Sequence, residues 1–165
     1  MNFQFYLEKL HSSDVFKKFK RENPKSYLCS SFFIFDFRRE GNKQHFDFYA
    51  PEEKKIFSFQ IEENFKIVPI EQIKKEIPEK ISLNLNFDFD EIKRIILNKI
   101  EEEKIKNKIE EMMLSLQRVG KINLLIGTIF VSGLGLIKLT VDLSKKEIIE
   151  FEKKSFFDMM KIFRK

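Results

Sequence analysis

The alternation of apolar and polar positions divides the first third of the chain into one helix and three strands. Ser13 can cap a helix that ends at the Asn23-Pro24 step, because proline disfavours helical geometry in the residue before it. Aromatic and β-branched residues are then concentrated in three runs, at 27–37, 45–49 and 56–61. The segments between these runs, 39–42 and 51–53, have the composition of turns. This pattern predicts a helix followed by a three-stranded antiparallel meander.

A second helix is predicted from Asp88, an N-cap residue with an acidic residue three positions later. Its apolar stripe comprises Ile92, Ile95, Ile96 and Ile100. Later apolar positions at helical spacing lie on a different face, which predicts a break between Glu101 and Asn107. Residues 112–117 then fit either a continued helix or a strand with alternating inward and outward side chains, and we favour the strand.

The last part of the chain predicts a series of hairpins and a closing helix. Strands are expected at 122–131, 134–143 and 148–152, with turns at 132–133 and 144–146. Ser155 and Asp158 have the spacing of a capping box for a short amphipathic helix. The apolar face of that helix comprises Phe156, Met159, Met160 and Phe163.

Residues 62–87 are predicted to form a connector between the two groups of strands. Pro69 and Pro78 limit regular structure there, because proline lacks a backbone donor. Only Glu71 to Glu76 has the composition of a short helix. The connector therefore separates two structural units.

Together these elements predict an α+β fold built from two helix-plus-antiparallel-meander units. We expect the first unit at residues 1–61, the connector at 62–87, and the second unit, with the C-terminal helix, at 88–165. Residues 46–59 align without a gap with residues 138–151. This alignment favours a tandem repeat, in which two small sheets share a core that a single copy could hardly fill.

The organisation resembles PepSY-type domains, in which a helix packs on a small antiparallel sheet with a cystatin-like shape. The resemblance extends to small, uncharacterised archaeal proteins with two such copies. It is carried by segments 23–28, 32–34, 116–123 and 139–142. The last hairpin departs from the family, because Lys145-Lys146 stands where a Thr-Gly pair is usual. The resemblance implies a non-catalytic module and brings no functional residues to this chain.

Composition narrows the classes of function. The chain has 165 residues, 31 Lys+Arg against 26 Asp+Glu, and a net charge of +5 that is spread evenly along its length. Cys29 is the single cysteine, which excludes an internal disulfide framework and a cysteine-rich zinc site. The first ten residues lack the basic start and apolar core of a secretory signal. A cytoplasmic protein is therefore predicted.

The candidate nucleophiles and metal ligands in the sequence do not favour an enzyme. His11 precedes Ser12 and Ser13, but adjacent residues seldom reach nucleophile–base geometry, so this segment is interpreted as the start of a helix. His45 and Asp47 alternate onto one strand face and are interpreted as a surface pair rather than a metal site. Cys29 is interpreted as a small core residue. No catalytic, cofactor-binding or metal-binding residue is predicted.

The favoured function is a non-enzymatic binding or regulatory module for a protein or peptide partner, acting through a sheet edge or a hydrophobic groove. One alternative is binding of single-stranded nucleic acid, with Phe33, Phe35 and Phe37 stacking on bases. Its basic residues would be Lys17, Lys20, Arg21, Arg38 and Arg39. A second alternative is membrane association through the uncharged segment 122–137, which is short for a spanning helix and is favoured as a buried hairpin.

Overall fold

The computed structural model of this chain describes residues 1–39, 41–62, 64–72 and 76–163. Within these residues, four helices and eight strands follow one another in an α+β arrangement. The helices are α1 (Phe3–Ser12), α2 (Asp14–Glu22), α3 (Phe89–Glu102) and α4 (Phe156–Phe163). The strands are β1 (Tyr27–Asp36), β2 (Lys43–Ala50), β3 (Lys55–Gln60), β4 (Lys66–Ile70), β5 (Ile109–Val119), β6 (Ile122–Val131), β7 (Gly135–Asp142) and β8 (Glu147–Ser155).

These eight strands form one antiparallel sheet in the order β4-β3-β2-β1-β5-β6-β7-β8. At its centre β1 pairs with β5, with Phe33 opposite Leu114. The predicted fold of two helix-plus-antiparallel-meander units is therefore wrong, because a single sheet runs through both halves of the chain. The physical reason is that each small sheet would expose an unpaired inner edge, and pairing β1 with β5 satisfies the backbone groups of both.

Strand β4 lies inside the segment predicted to be a connector. It pairs with β3 from Lys66 opposite Gln60 to Ile70 opposite Ile56. Pro69 is compatible with this strand because β4 is an edge, where one backbone position needs no donor for the ladder. The short helix predicted over 71–76 and the turn predicted over 39–42 include residues that lie outside the described ranges.

Helix α1 is a second element that the sequence patterns did not predict. Asn2 caps it by accepting a hydrogen bond from the Phe5 N–H at 2.9 Å. Its buried residues are Phe3, Tyr6, Leu7 and Leu10. This three-to-four-residue spacing is the ordinary pattern of a helix that packs on a core.

The predicted starts of the other helices are confirmed. The Ser13 hydroxyl accepts from the Phe16 N–H at the start of α2, and the Asp88 carboxylate accepts from two N–H groups at the start of α3. At α4, the Ser155 hydroxyl donates to Asp158 at 2.7 Å, and the Asp158 N–H donates back to Ser155. Three side chains of the predicted α4 face, those of Phe156, Met159 and Phe163, lie outside the part of the chain that is described.

The predicted break and strands in the second half are also confirmed. Helix α3 ends at Glu102, and residues 112–117 belong to β5. Segment 122–137 forms β6 and the beginning of β7, joined at a turn that contains Ser132 and Gly133. None of the helices in the described ranges has both the length and the apolar character needed to cross a bilayer.

A cluster of phenylalanine rings lies between the helices and one face of the sheet. The ring of Phe33 on β1 contacts Phe3 of α1, Phe46 of β2 and Phe89 of α3, at centroid distances between 4.6 and 6.2 Å. Helix α2 contributes Phe16 and Phe19, which pack on the rings of β2 and β3. Since each fully buried ring contributes roughly 1.5–3 kcal/mol, this cluster fixes the helices on the sheet.

The register assigns each strand residue to one of two faces, because residues that lie opposite each other in an antiparallel pair project to the same side. Phe33 and Phe35 lie opposite Leu114 and Met112 and face the helices. Phe32, Ile34 and their partners on β5 project to the other side. We call this second side the open face.

The phenylalanine cluster can be tested with two matched substitutions. Phe33 is 0% exposed and Phe5 is 50% exposed. We expect Phe33→Ala to lower the free energy of unfolding by about 3–5 kcal/mol, because it leaves a cavity among several rings. The same change at Phe5 should cost less than about 1 kcal/mol. Urea unfolding followed by circular dichroism measures both, and equal losses would contradict the assignment of Phe33 to the centre of the core.

Candidate binding surfaces

The open face carries a band of apolar side chains across four neighbouring strands, β1, β5, β6 and β7. We call it the apolar band, and it comprises Phe32, Ile34, Met113, Leu124, Ile126, Phe130 and Leu136. Ile126 and Phe130 expose 39% and 38% of their surface, and the other five are half-buried. A contiguous apolar patch on a sheet face is the usual mark of a contact surface.

Charged side chains of opposite sign lie on the two sides of the apolar band. Lys43 of β2 and Lys66 of β4 lie on one side, in register with the band. Glu147, Glu150 and Glu152 of β8 lie on the other. All five are exposed. Each side also carries charges of the other sign. Asp47 on β2 and Glu62, 4.0 Å from His45, lie on the lysine side, while on the glutamate side Lys138 lies opposite Glu152 and Lys154 forms an ion pair with Glu152 at 3.6 Å.

The chain after β4 covers one end of the open face. The Tyr27 hydroxyl donates to the carbonyl of Pro78 at 2.8 Å, and the Gly120 N–H donates to the Glu79 carboxylate at 3.1 Å. A shallow cleft of about 570 Å³ lies between this segment and the sheet, lined by residues that include Ser30 and Gln117. The apolar band lies beyond this covered end.

The two edges of the sheet differ in chemistry. Strand β8 has the sequence EIIEFEKKS, in which five of nine residues are charged. Strand β4 has the sequence KIVPI, with one charge, and each of its residues is exposed. Charged side chains on an edge strand discourage pairing with other chains. The β4 edge is therefore the less protected of the two, and its apolar run could have been recognised in the sequence despite Pro69.

The basic residues predicted for nucleic-acid binding do not form one site. Lys17, Lys20 and Arg21 lie on α2, whereas Arg38 and Arg39 follow the far end of β1, a strand of ten residues. That strand is roughly 30 Å long, and α2 precedes its start whereas Arg38 and Arg39 follow its end.

Two of these basic side chains already have partners within the chain. The Lys20 ammonium donates to the carbonyl of Ser26 at 2.8 Å, and burial, assisted by Lys80, lowers its pKa. Arg38 lies within 4.0 Å of Asp36, Glu110 and Glu111. In addition, two of the three aromatic rings proposed to stack on bases, Phe33 and Phe35, are buried against the helices, whereas Phe37 is 45% exposed. Phe33 and Phe35 are therefore unavailable for stacking, and nucleic-acid binding stays a prediction that rests on Phe37 and the remaining basic residues.

A small polar cluster on β1 and β2 also lies on the open face. The Ser30 hydroxyl donates to Asp47 Oδ2 at 2.6 Å, and His45 Nε2 lies 4.0 Å from a Glu62 oxygen. Burial lowers the pKa of His45, and the charges of Asp47 and Glu62 oppose that shift. Serine is thus paired with a carboxylate and not with the imidazole that would activate it. The ranges that the structure describes contain no group of three metal-ligating side chains.

The remaining candidate groups are used in local structure. The Ser12 and Ser13 hydroxyls donate to backbone carbonyls at the end of α1, and the His11 ring stacks on Phe16. Cys29 is buried and its thiol donates to the carbonyl of Asp47 at 3.3 Å. Burial, followed by the charge of Asp47, raises the pKa of Cys29 to about 12. This agrees with the prediction of a core cysteine.

Comparison with known proteins gives a similarity at the level of the fold. No protein-family model and no curated protein matches the chain. The crystal structure of a "putative lipoprotein" from Clostridium difficile matches with a TM-score of 0.58 and 13% sequence identity, covering 86% of this chain and 91% of that one. At this identity the similarity concerns the fold alone. The resemblance to PepSY-type domains and the cytoplasmic location therefore stay predictions.

The raised pKa of Cys29 predicts a thiol that reacts slowly in the folded protein. With a pKa near 12 instead of 9.0, the folded state holds about a thousandfold less thiolate at pH 8. We expect negligible labelling of native protein by a disulfide reagent at pH 8, and one thiol per chain in guanidinium chloride. The folded state should lose stability as the pH rises above 9, because only the unfolded chain then ionises this thiol. Rapid labelling of native protein would contradict the buried placement.

Proposed function

We propose that this protein is a non-enzymatic binding module that receives an extended peptide segment of a partner protein along the β4 edge. The observation that carries the proposal is the exposure of all five residues of an apolar edge strand. An extended segment can add to such an edge as a further strand, with backbone hydrogen bonds giving affinity and alternate side chains giving specificity.

Pro69 limits how a partner can pair. In antiparallel pairing, successive residues direct their backbone groups alternately toward β3 and toward the free edge. Because proline occurs on edge strands with its donor-less nitrogen toward solvent, Ile67 and Pro69 direct their backbone groups to the free edge. At these two positions the free edge therefore offers the carbonyl groups of both residues but only one N–H donor, that of Ile67. This restricts uncontrolled addition of strands and favours a short partner segment.

The side chains of β4 define the chemistry of that segment. Val68 and Ile70 project to the open face, and Ile67 lies opposite Phe59 on the side of the helices. A partner strand beside β4 would thus meet apolar side chains on both faces. We infer a segment of four or five residues rich in β-branched or aromatic side chains, which is the composition that fits a pleated and half-buried surface.

A linear peptide display library selected on the intact protein tests this function. We expect the selected peptides to share a short apolar run and to perturb the amide signals of β4. Val68→Lys should weaken their binding at least tenfold, or about 1.4 kcal/mol, because it places a charge on the pairing edge. Leu97→Lys on α3 is the matched control, since Leu97 is 42% exposed and Val68 40%. It should leave binding unchanged.

Methylation of single backbone nitrogens in a selected peptide is an independent test of strand addition at β4. Strand addition predicts that binding is lost at every second peptide position, because alternate N–H groups point to β4. Loss without this alternation, or equal weakening by both protein variants, would refute strand addition at β4.

A further inference from the structure

A shallow cleft lies at the end of the sheet where β1 begins and β5 ends. The Ile81 N–H donates to the carbonyl of Leu28 at 2.8 Å, and Ile81 is 0% exposed, so residues 79–84 are held beside the start of β1. The cleft has a volume of about 630 Å³, and we call it the cationic cleft. Its lining residues lie outside β4, so it is separate from the edge proposed to bind a peptide. They are Glu79, Lys80, Ser82, Leu83, Asn84 and Arg118.

The turn between β5 and β6 positions two charged side chains of the cationic cleft. Arg118 Nε donates to the carbonyl of Gly120 at 3.2 Å, which leaves the N–H donors of its two Nη groups for other acceptors. Glu79, the acidic residue of the lining, accepts from the Gly120 N–H at 3.1 Å. Its carboxylate is therefore engaged with the backbone. Lys80, which is exposed, supplies a second cation.

Lys20 of α2 adds a third positive charge beside the cleft. Its ammonium donates to the carbonyls of Pro24 and Ser26 and to the Ser26 hydroxyl, and all three acceptors are neutral. The pKa of Lys20 is lowered by burial first and then by the charge of Lys80, which places the two ammonium groups near each other. Within the ranges that the structure describes, no ion pair involves Lys20, Lys80 or Arg118. An anion bound here would offset the repulsion among these cations.

We propose that the cationic cleft binds a small phosphate monoester that carries hydroxyl groups. Three cations and one carboxylate give a net charge of about +2, which complements the charge of about −2 on a phosphate monoester at pH 7. Arg118 presents parallel N–H donors to two phosphate oxygens, and Lys80 adds a point charge.

The other polar residues of the lining fit the hydroxyl groups of such a ligand. The Glu79 carboxylate accepts from hydroxyl groups, and the Asn84 amide both donates and accepts. The Ser82 hydroxyl already accepts from the Asn84 N–H at 3.2 Å, which orders this wall of the cleft. Because the cleft is shallow, part of the ligand stays in water, and we expect a dissociation constant of about 1 mM.

Titration of the intact protein with ribose 5-phosphate, followed by NMR at constant ionic strength, tests this site. We expect saturable shifts of the amide signals of Lys80, Ser82 and Gly120, with a dissociation constant of about 1 mM. Inorganic phosphate should shift the same signals but bind more weakly, because it lacks the part that carries the hydroxyl groups. Ribose alone should leave them unchanged. Shifts that do not saturate, or equal shifts with ribose, would overturn the proposal.

Two lysine variants show whether binding depends on the cleft or on overall charge. Lys80→Gln should weaken binding of ribose 5-phosphate at least fivefold, because it removes one of the cations that face the phosphate. Lys108→Gln is the matched control, since Lys108 is also exposed and lies at the other end of β5. It should leave binding unchanged. Equal weakening by both variants would refute the site.

A single-stranded oligothymidylate tests the other source of phosphate groups. Each of its phosphodiesters carries one negative charge, so we expect smaller shifts of these amide signals than with ribose 5-phosphate at the same phosphate concentration. Stronger binding of the oligonucleotide at these residues would contradict a site for a small monoester.

Discussion

The pairing of β1 with β5 is the interaction on which the rest of the structure depends. It joins strands from the two halves of the chain along seven residue pairs, from Ser30 opposite Gln117 to Asp36 opposite Glu111. One continuous sheet follows, with helices α1, α2 and α3 packed on one of its faces. The same pairing places Phe33 against rings from both halves, including Phe3 and Phe89. A core that neither half could enclose alone is thereby shared.

Local chemistry made much of the secondary structure predictable. Caps such as Ser13 and Asp88, and turns such as Ser132-Gly133, act through hydrogen bonds and backbone preferences within a few residues. The joining of the two halves was not predictable in this way, because β1 and β5 are far apart in sequence and their pairing depends on which edges remain unsatisfied. Strand β4 was missed for a related reason. Proline is accepted in a strand only where that strand is an edge, and the sequence does not show which strands are edges.

The candidate sites show the same division between local and long-range information. Alternation placed His45 and Asp47 on one face correctly, but it could not show that Asp47 is already paired with Ser30. Basic residues that looked available in the sequence have partners supplied by the fold, as Arg38 has among the carboxylates of β1 and β5. Counting charges therefore does not show which basic side chains are available to a ligand, and only contacts between distant residues do.

A wide single sheet has two faces and two edges, and in this chain each face and each edge has a different surface chemistry. The helices bury one face with aromatic rings, and the charges of β8 protect one edge. The other face and the other edge retain exposed apolar side chains, at Ile126 and Phe130 and along β4. Exposed apolar side chains also lie elsewhere, such as Leu97 on α3 and Ile149 on β8, so what sets β4 apart is that its apolar residues lie side by side along an unpaired edge. The β4 edge fits a single extended strand, because one row of unpaired backbone groups is available there.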